Sequence, residues 1–80
     1  MKARVTVTLK PGVLDPQGAA IAHALGTLGF EGVQGARQGK VIDLDLDETD
    51  PDRARAQAEA MAAKLLANQV IETFSVEVVT

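Results

Sequence analysis

Three short runs of this 80-residue chain alternate apolar and polar side chains, and that period restricts the fold more than any other feature. Val5, Val7 and Leu9 alternate with Arg4, Thr6 and Thr8. Ile42, Leu44 and Leu46 alternate with Asp43, Asp45 and Asp47, and Phe74, Val76 and Val78 with Thr73, Ser75 and Glu77. Successive side chains of a strand point to opposite faces, so each run reads as a strand with one face buried and one wetted. Such strands belong to an antiparallel sheet covered on one side.

Two intervening stretches carry a helical period instead. Asp15-Pro16 and Asp50-Pro51 are matching helix starts, with Asp at the N-cap and Pro at the first helical position, where a missing N–H costs nothing. Ile21, Leu25 and Leu28 follow the first start, and Gly29 suits the residue that ends the helix. Ala54, Ala58, Met61 and Leu65 form the stripe after the second. A weaker strand is expected from about Phe30 to Gln38, loosened by Gly32 and Gly35, with Gln38-Gly39 as a tight turn into the next strand. The order becomes β-α-β-β-α-β. Right-handed crossovers in that order predict an α+β, ferredoxin-like two-layer sandwich. It would have a four-stranded antiparallel sheet, with both helices on the face bearing Val5, Val7, Leu9, Ile42, Leu44, Leu46, Phe74, Val76 and Val78. Residues 1–80 read as one domain.

A chain of this length buries only about 60% of its unfolded surface, so its own core is marginal. It has no Cys and one His, which removes disulfides and makes a structural zinc site improbable. Association remains as the source of extra stability, and a dimer or tetramer is expected. The net charge of −3 and the scarcity of aromatics argue against nucleic acid, which calls for a basic face and stacking rings. No apolar run approaches the roughly 18 residues of a membrane span. Met1 leads straight into a strand pattern without an apolar leader, so the cytoplasm is the expected compartment.

Few residues suggest chemistry. Asp43, Asp45 and Asp47 share a face but stand almost 7 Å apart along a strand, too far for a compact oxygen cage. His23 lies on the opposite side of its helix from Ile21 and Leu25, with no partner suggested for proton transfer. Gly26, Gly29, Gly32, Gly35 and Gly39 match no phosphate-loop spacing. The Arg37-Gln38-Gly39-Lys40 tip concentrates two cations, which suits docking or an anion contact. Pro11 to Gly18 holds two Pro and two Gly in eight residues and reads as a rigid shaped loop. Asp15 at the helix start would repel a phosphate there.

Several segments together resemble one family along the whole chain. These are Lys10-Pro11-Gly12-Val13-Leu14-Asp15-Pro16-Gln17-Gly18, Leu28-Gly29, Arg37-Gln38-Gly39-Lys40, and Leu65-Leu66-Ala67-Asn68 followed by Val70-Ile71-Glu72. The chain is similar to the PurS family, the small subunits of phosphoribosylformylglycinamidine (FGAM) synthase. It departs from the family pattern at Gln69, where Pro is frequent, and at Phe74, where Tyr is common.

The resemblance implies a non-catalytic adaptor in the three-subunit form of this purine-biosynthetic enzyme. The expected partners are the large synthetase subunit (PurL) and the glutaminase subunit (PurQ), along with further copies of the chain. ATP, Mg and glutamine would be used by the partners, with no cofactor on this chain. On that reading the residues expected to dock partners are Pro11, Gly12, Asp15, Arg37, Lys40 and Asn68. An ACT-like ligand-sensing module shares the element order and is the alternative, because fold alone does not define function.

Overall fold

The computed structural model describes residues 1–79. Strand β1 (Lys2–Leu9) is followed by helix α1 (Pro16–Thr27), β2 (Gly39–Asp45), helix α2 (Pro51–Met61) and β3 (Glu72–Val79). β1 lies at the centre of the sheet, in the order β2-β1-β3, and pairs antiparallel with both neighbours. Val5 stands opposite Ile42 on one side and Val76 on the other. The three apolar sets therefore share a face, as the alternation requires.

The expected four-stranded sheet is not what forms. The sheet has three strands, and the segment from Phe30 to Gln38 is irregular. Gly32 turns the chain with φ 89°. Further along, the Gln38 N–H donates to the Asp15 carboxylate instead of to a ladder. No hairpin leads into β2, since Gly39 already pairs with Thr8 of β1. A run with one β-branched residue, Val33, has too little apolar alternation to compete with those local bonds.

The core is built from small side chains. Ala3, Val5 and Val7 of β1 form one buried cluster with Ala58 and Ala62 of α2 and its extension, and Ala54, one turn before Ala58, is buried as well. Alanines at the contact let a helix approach a sheet closely. Asp50 caps α2 by accepting from the Asp52 N–H (3.0 Å), and Pro51 occupies its first position. A π-helical turn, Ala62–Leu66, ends the helix, with the Ala67 N–H reaching back to Ala62 O (2.9 Å).

Helix α1 behaves differently from expectation. Asp15 and Pro16 start it as read, and Gly29 (φ 94°) ends it. The Gly29 N–H bonds to Gly26 O and the Phe30 N–H to Leu25 O, the paired closure of a Schellman end. Yet α1 does not cover the sheet. Only α2 packs on the apolar face, and no α1 residue belongs to the core cluster. Ile21 and Leu28 stay exposed, and His23 is exposed as well. The chain is drawn out to 48 Å along its longest axis.

Candidate partner-docking site

The loop after β1 is held from three directions. Lys10 O accepts from the Val13 N–H (2.9 Å), closing a turn that has Pro11 in its second place. Pro11 and Gly12 are both exposed at its tip. Arg37 then reaches under the loop. Its guanidinium donates to Val13 O and Lys10 O, each at 3.0 Å, and to Leu9 O at 3.4 Å. Five donors in a fixed fork let one arginine pin several carbonyls at once.

Asp15 ties the loop to both α1 and the segment before β2. One carboxylate oxygen accepts from the Gly18 N–H and the other from the Gln38 N–H, both at 2.8 Å. The residue is buried. These backbone donors, Gln38 first and Gly18 second, hold its carboxyl below the usual carboxylate range. The Arg37 charge helps, while partial burial opposes. Asp15 is therefore ionised and fully engaged near neutral pH, in a state that neither takes up nor releases a proton. Gly18 has to be glycine here, because a Cβ would sit 2.1 Å from Ala36 O.

Asn68 organises the turn before β3. Its N–H donates to Glu72 Oε1 (2.7 Å), its side-chain oxygen accepts from the Val70 N–H (3.1 Å), and its carbonyl accepts from Ile71 and Glu72. The Lys10 N–H bonds to Ile71 O (2.8 Å), joining this turn to the first loop. Five of the six residues singled out from sequence thus meet at one end of the sheet, and Asn68 sits in the turn beside them. A cavity of about 280 Å³ opens among Leu9, Asp15, Gln17, Gln38, Lys40 and Glu72.

Sequence reading named Arg37 and Asp15 but missed the contacts that define them. Gln38, Gly18 and Glu72 complete the arrangement, each from a motif already noted and none recognisable alone. The Arg37–Lys40 stretch is not a hairpin tip, as expected, but the approach to β2. Asp43 of the acidic row forms an exposed pair with Arg4 (2.9 Å). Among the described residues, no group of three or more His, Cys, Asp or Glu could hold a metal ion, and no helix is long and apolar enough to cross a membrane.

Comparison with known proteins accounts for nearly the whole chain. Residues 2–80 match the family PurS, phosphoribosylformylglycinamidine (FGAM) synthase. The Bacillus subtilis phosphoribosylformylglycinamidine synthase subunit PurS is 44% identical over 77 residues, covering 96% of this chain and 90% of that protein. The crystal structure of Methanocaldococcus jannaschii PurS, one of the subunits of formylglycinamide ribonucleotide amidotransferase in the purine biosynthetic pathway, superposes with a TM-score of 0.86. It is 39% identical, over 95% of this chain and 92% of that one. A chain of the Thermotoga maritima PurLQS structure matches with a TM-score of 0.85 and 27% identity, over 95% and 93%. The family match over residues 2–80, the shared backbone architecture and the near end-to-end alignments lead to one conclusion: this chain belongs to the PurS family of FGAM synthase subunits.

Proposed function

We propose that this chain is the adaptor of a three-subunit FGAM synthase, joining the glutaminase subunit (PurQ) to the large synthetase subunit (PurL) in the cytoplasm. The synthetase uses ATP and Mg to activate the amide oxygen of formylglycinamide ribonucleotide. Ammonia released from glutamine then displaces phosphate to give the amidine. ATP, Mg and glutamine belong to the partners, and this chain holds no cofactor. It self-associates as a dimer or tetramer.

The observation that carries this reading is the near full-length match to a chain of the PurLQS complex. Physical chemistry gives the role its purpose. Ammonia released into water at neutral pH becomes ammonium, which has no lone pair to attack with, so the two active sites have to be joined by an enclosed route. A rigid joint closes such a route without chemistry of its own. The end of the sheet described above suits that work. Pro11, Gly12 and Lys40 are exposed for contact, while Arg37, Asp15 and Asn68 spend their polar groups on holding the backbone in shape.

Reconstitution tests the proposal. Purified synthetase and glutaminase subunits are assayed for glutamine-dependent amidine formation with and without this chain. Coupling of glutamine hydrolysis to amidine is expected only when the chain is present, and equal coupling without it refutes the adaptor role. Calorimetric titration of the isolated chain with amino acids and purine nucleotides is expected to be silent. A saturable, stoichiometric heat would instead favour the ligand-sensing alternative.

A further inference from the structure

The sheet end that holds the first loop and the turn before β3 carries three bare apolar side chains. Leu14 is 81% exposed, Leu65 83% and Val70 82%, more than any other large apolar residue described. A run of hydrogen bonds ties them to one place. Gln69 Nε2 donates to Ala63 O (3.3 Å), joining the Asn68 turn that bears Val70 to the π-helical turn that bears Leu65. The carbonyl of Ile71, next after Val70, accepts from the Lys10 N–H. Arg37 in turn holds Lys10 O and Val13 O on the loop that bears Leu14.

Leu65 shows that this exposure is built in. Its spacing from Ala54, Ala58 and Met61 puts it on the buried stripe of an unbroken α-helix. The π-helical turn Ala62–Leu66 advances less around the axis per residue, so Leu66 packs against the core and Leu65 swings outward. Single π-turns inside helices are frequent at functional sites. Val70 is held as firmly, with its own N–H on the Asn68 side-chain oxygen (3.1 Å). Apolar side chains on a preset backbone lose little freedom when a partner covers them, which suits them to anchor an interface.

The free charge around them has one sign. Lys10, Lys40 and Lys64 are exposed and form no ion pair among the described residues. The carboxylates of Asp15 and Glu72, at the same end, are taken up by backbone N–H groups. The chain as a whole carries −3, so this end runs against the net charge. We propose that it docks one enzyme subunit of the synthase, on a face of that subunit with apolar pockets inside an acidic rim. Leu14, Leu65 and Val70 fill the pockets and hold the complex, while Lys10, Lys40 and Lys64 steer the approach. This rests on the adaptor reading above and names the chemistry of its partner.

Binding of the full chain to the purified synthetase and glutaminase subunits, each alone and mixed, is followed by surface plasmon resonance across a salt series. Leu14→Ser, Leu65→Ser and Val70→Ser replace exposed side chains, so each keeps its circular dichroism. Each is expected to weaken binding to one and the same subunit about tenfold or more, through faster dissociation and with the salt slope unchanged. Lys10→Glu combined with Lys64→Glu is expected to slow association and flatten the salt dependence. Serine variants that all bind and couple like the unaltered chain overturn this docking face and leave the adaptor standing. Variants that change only the sedimentation of the chain by itself make a second copy the occupant, and overturn it too. An unaltered chain that binds neither subunit nor their mixture overturns both the face and the adaptor.

Discussion

Replacing Gly18 by Ala should destabilise the protein even though the position is helical, where alanine is ordinarily the better residue. In an unhindered helix, Gly→Ala at a compatible backbone gains about 0.4–1 kcal/mol. At Gly18 the new Cβ would stand 2.1 Å from Ala36 O, 2.9 Å from Ala36 C and 3.0 Å from Asp15 Cγ. Two of these three atoms are backbone, so no flexible side chain can swing away. Either α1 or the Ala36–Gln38 segment has to move by more than an ångström, and that motion stretches the 2.8 Å bond from Gln38 to Asp15. Overpacking of this kind costs about 1–3 kcal/mol, and a backbone clash belongs at the upper end. Less the helical gain, the net loss is about 2 kcal/mol. Gly26 is the internal control, on the same helix with nothing within 4 Å of its Cβ direction. Gly26→Ala should stabilise by about 0.5 kcal/mol. The two variants should therefore differ by about 2–3 kcal/mol, or roughly 10–20 °C in Tm for a domain of this size. Without Trp or Tyr there is little intrinsic fluorescence, so urea unfolding is followed by far-UV circular dichroism at one fixed protein concentration. A Gly18→Ala protein as stable as Gly26→Ala refutes the packing of α1 against the segment before β2.

Val5 is one of the two largest fully buried side chains, and Val5→Ala should cost about 2 kcal/mol, from two lost methyl groups plus a small cavity, read in the same denaturation assay. Ala58→Leu should cost about 1–3 kcal/mol, because a fully buried alanine between α2 and the sheet has no room for three more carbons; unchanged stability would mean that the helix stands off the sheet. The carboxyls of Asp15 and Asp43 titrate lower folded than unfolded, Asp15 through the Gln38 and Gly18 N–H groups and Asp43 through Arg4. Their stabilisation is complete above the unfolded carboxylate value and is lost as pH falls through the folded one, from about pH 5 downward. Asp15→Asn should flatten that acid limb of the stability profile, and an unaltered limb would remove Asp15 from it. Lys40 makes no ion pair among the described residues, so Lys40→Glu should leave the circular dichroism unchanged and weaken co-elution with the synthetase and glutaminase subunits; intact co-elution removes Lys40 from the docking surface.

Local signals in the sequence determined the elements that depend on neighbours in the chain. Save that β2 ends at Asp45, short of Leu46 and Asp47, the Asp15-Pro16 and Asp50-Pro51 starts, the Gly29 stop and the three alternating runs form where they are read, because caps and pleat are decided within a few residues. The motif segments likewise sufficed to place the chain in its family. Tertiary structure alone decided the rest. The fourth strand fails because Asp15, 23 residues away, takes the Gln38 N–H that a ladder would need, and no local pattern reports a bond of that span. Arg37 looks like a free surface cation in sequence, but in the folded chain it binds three carbonyls of the first loop. The stripe of α1 is an amphipathic signal, yet the folded chain leaves Ile21 and Leu28 exposed and covers its sheet with α2 alone. Periodicity states that a face must be buried, and only three-dimensional placement says against what.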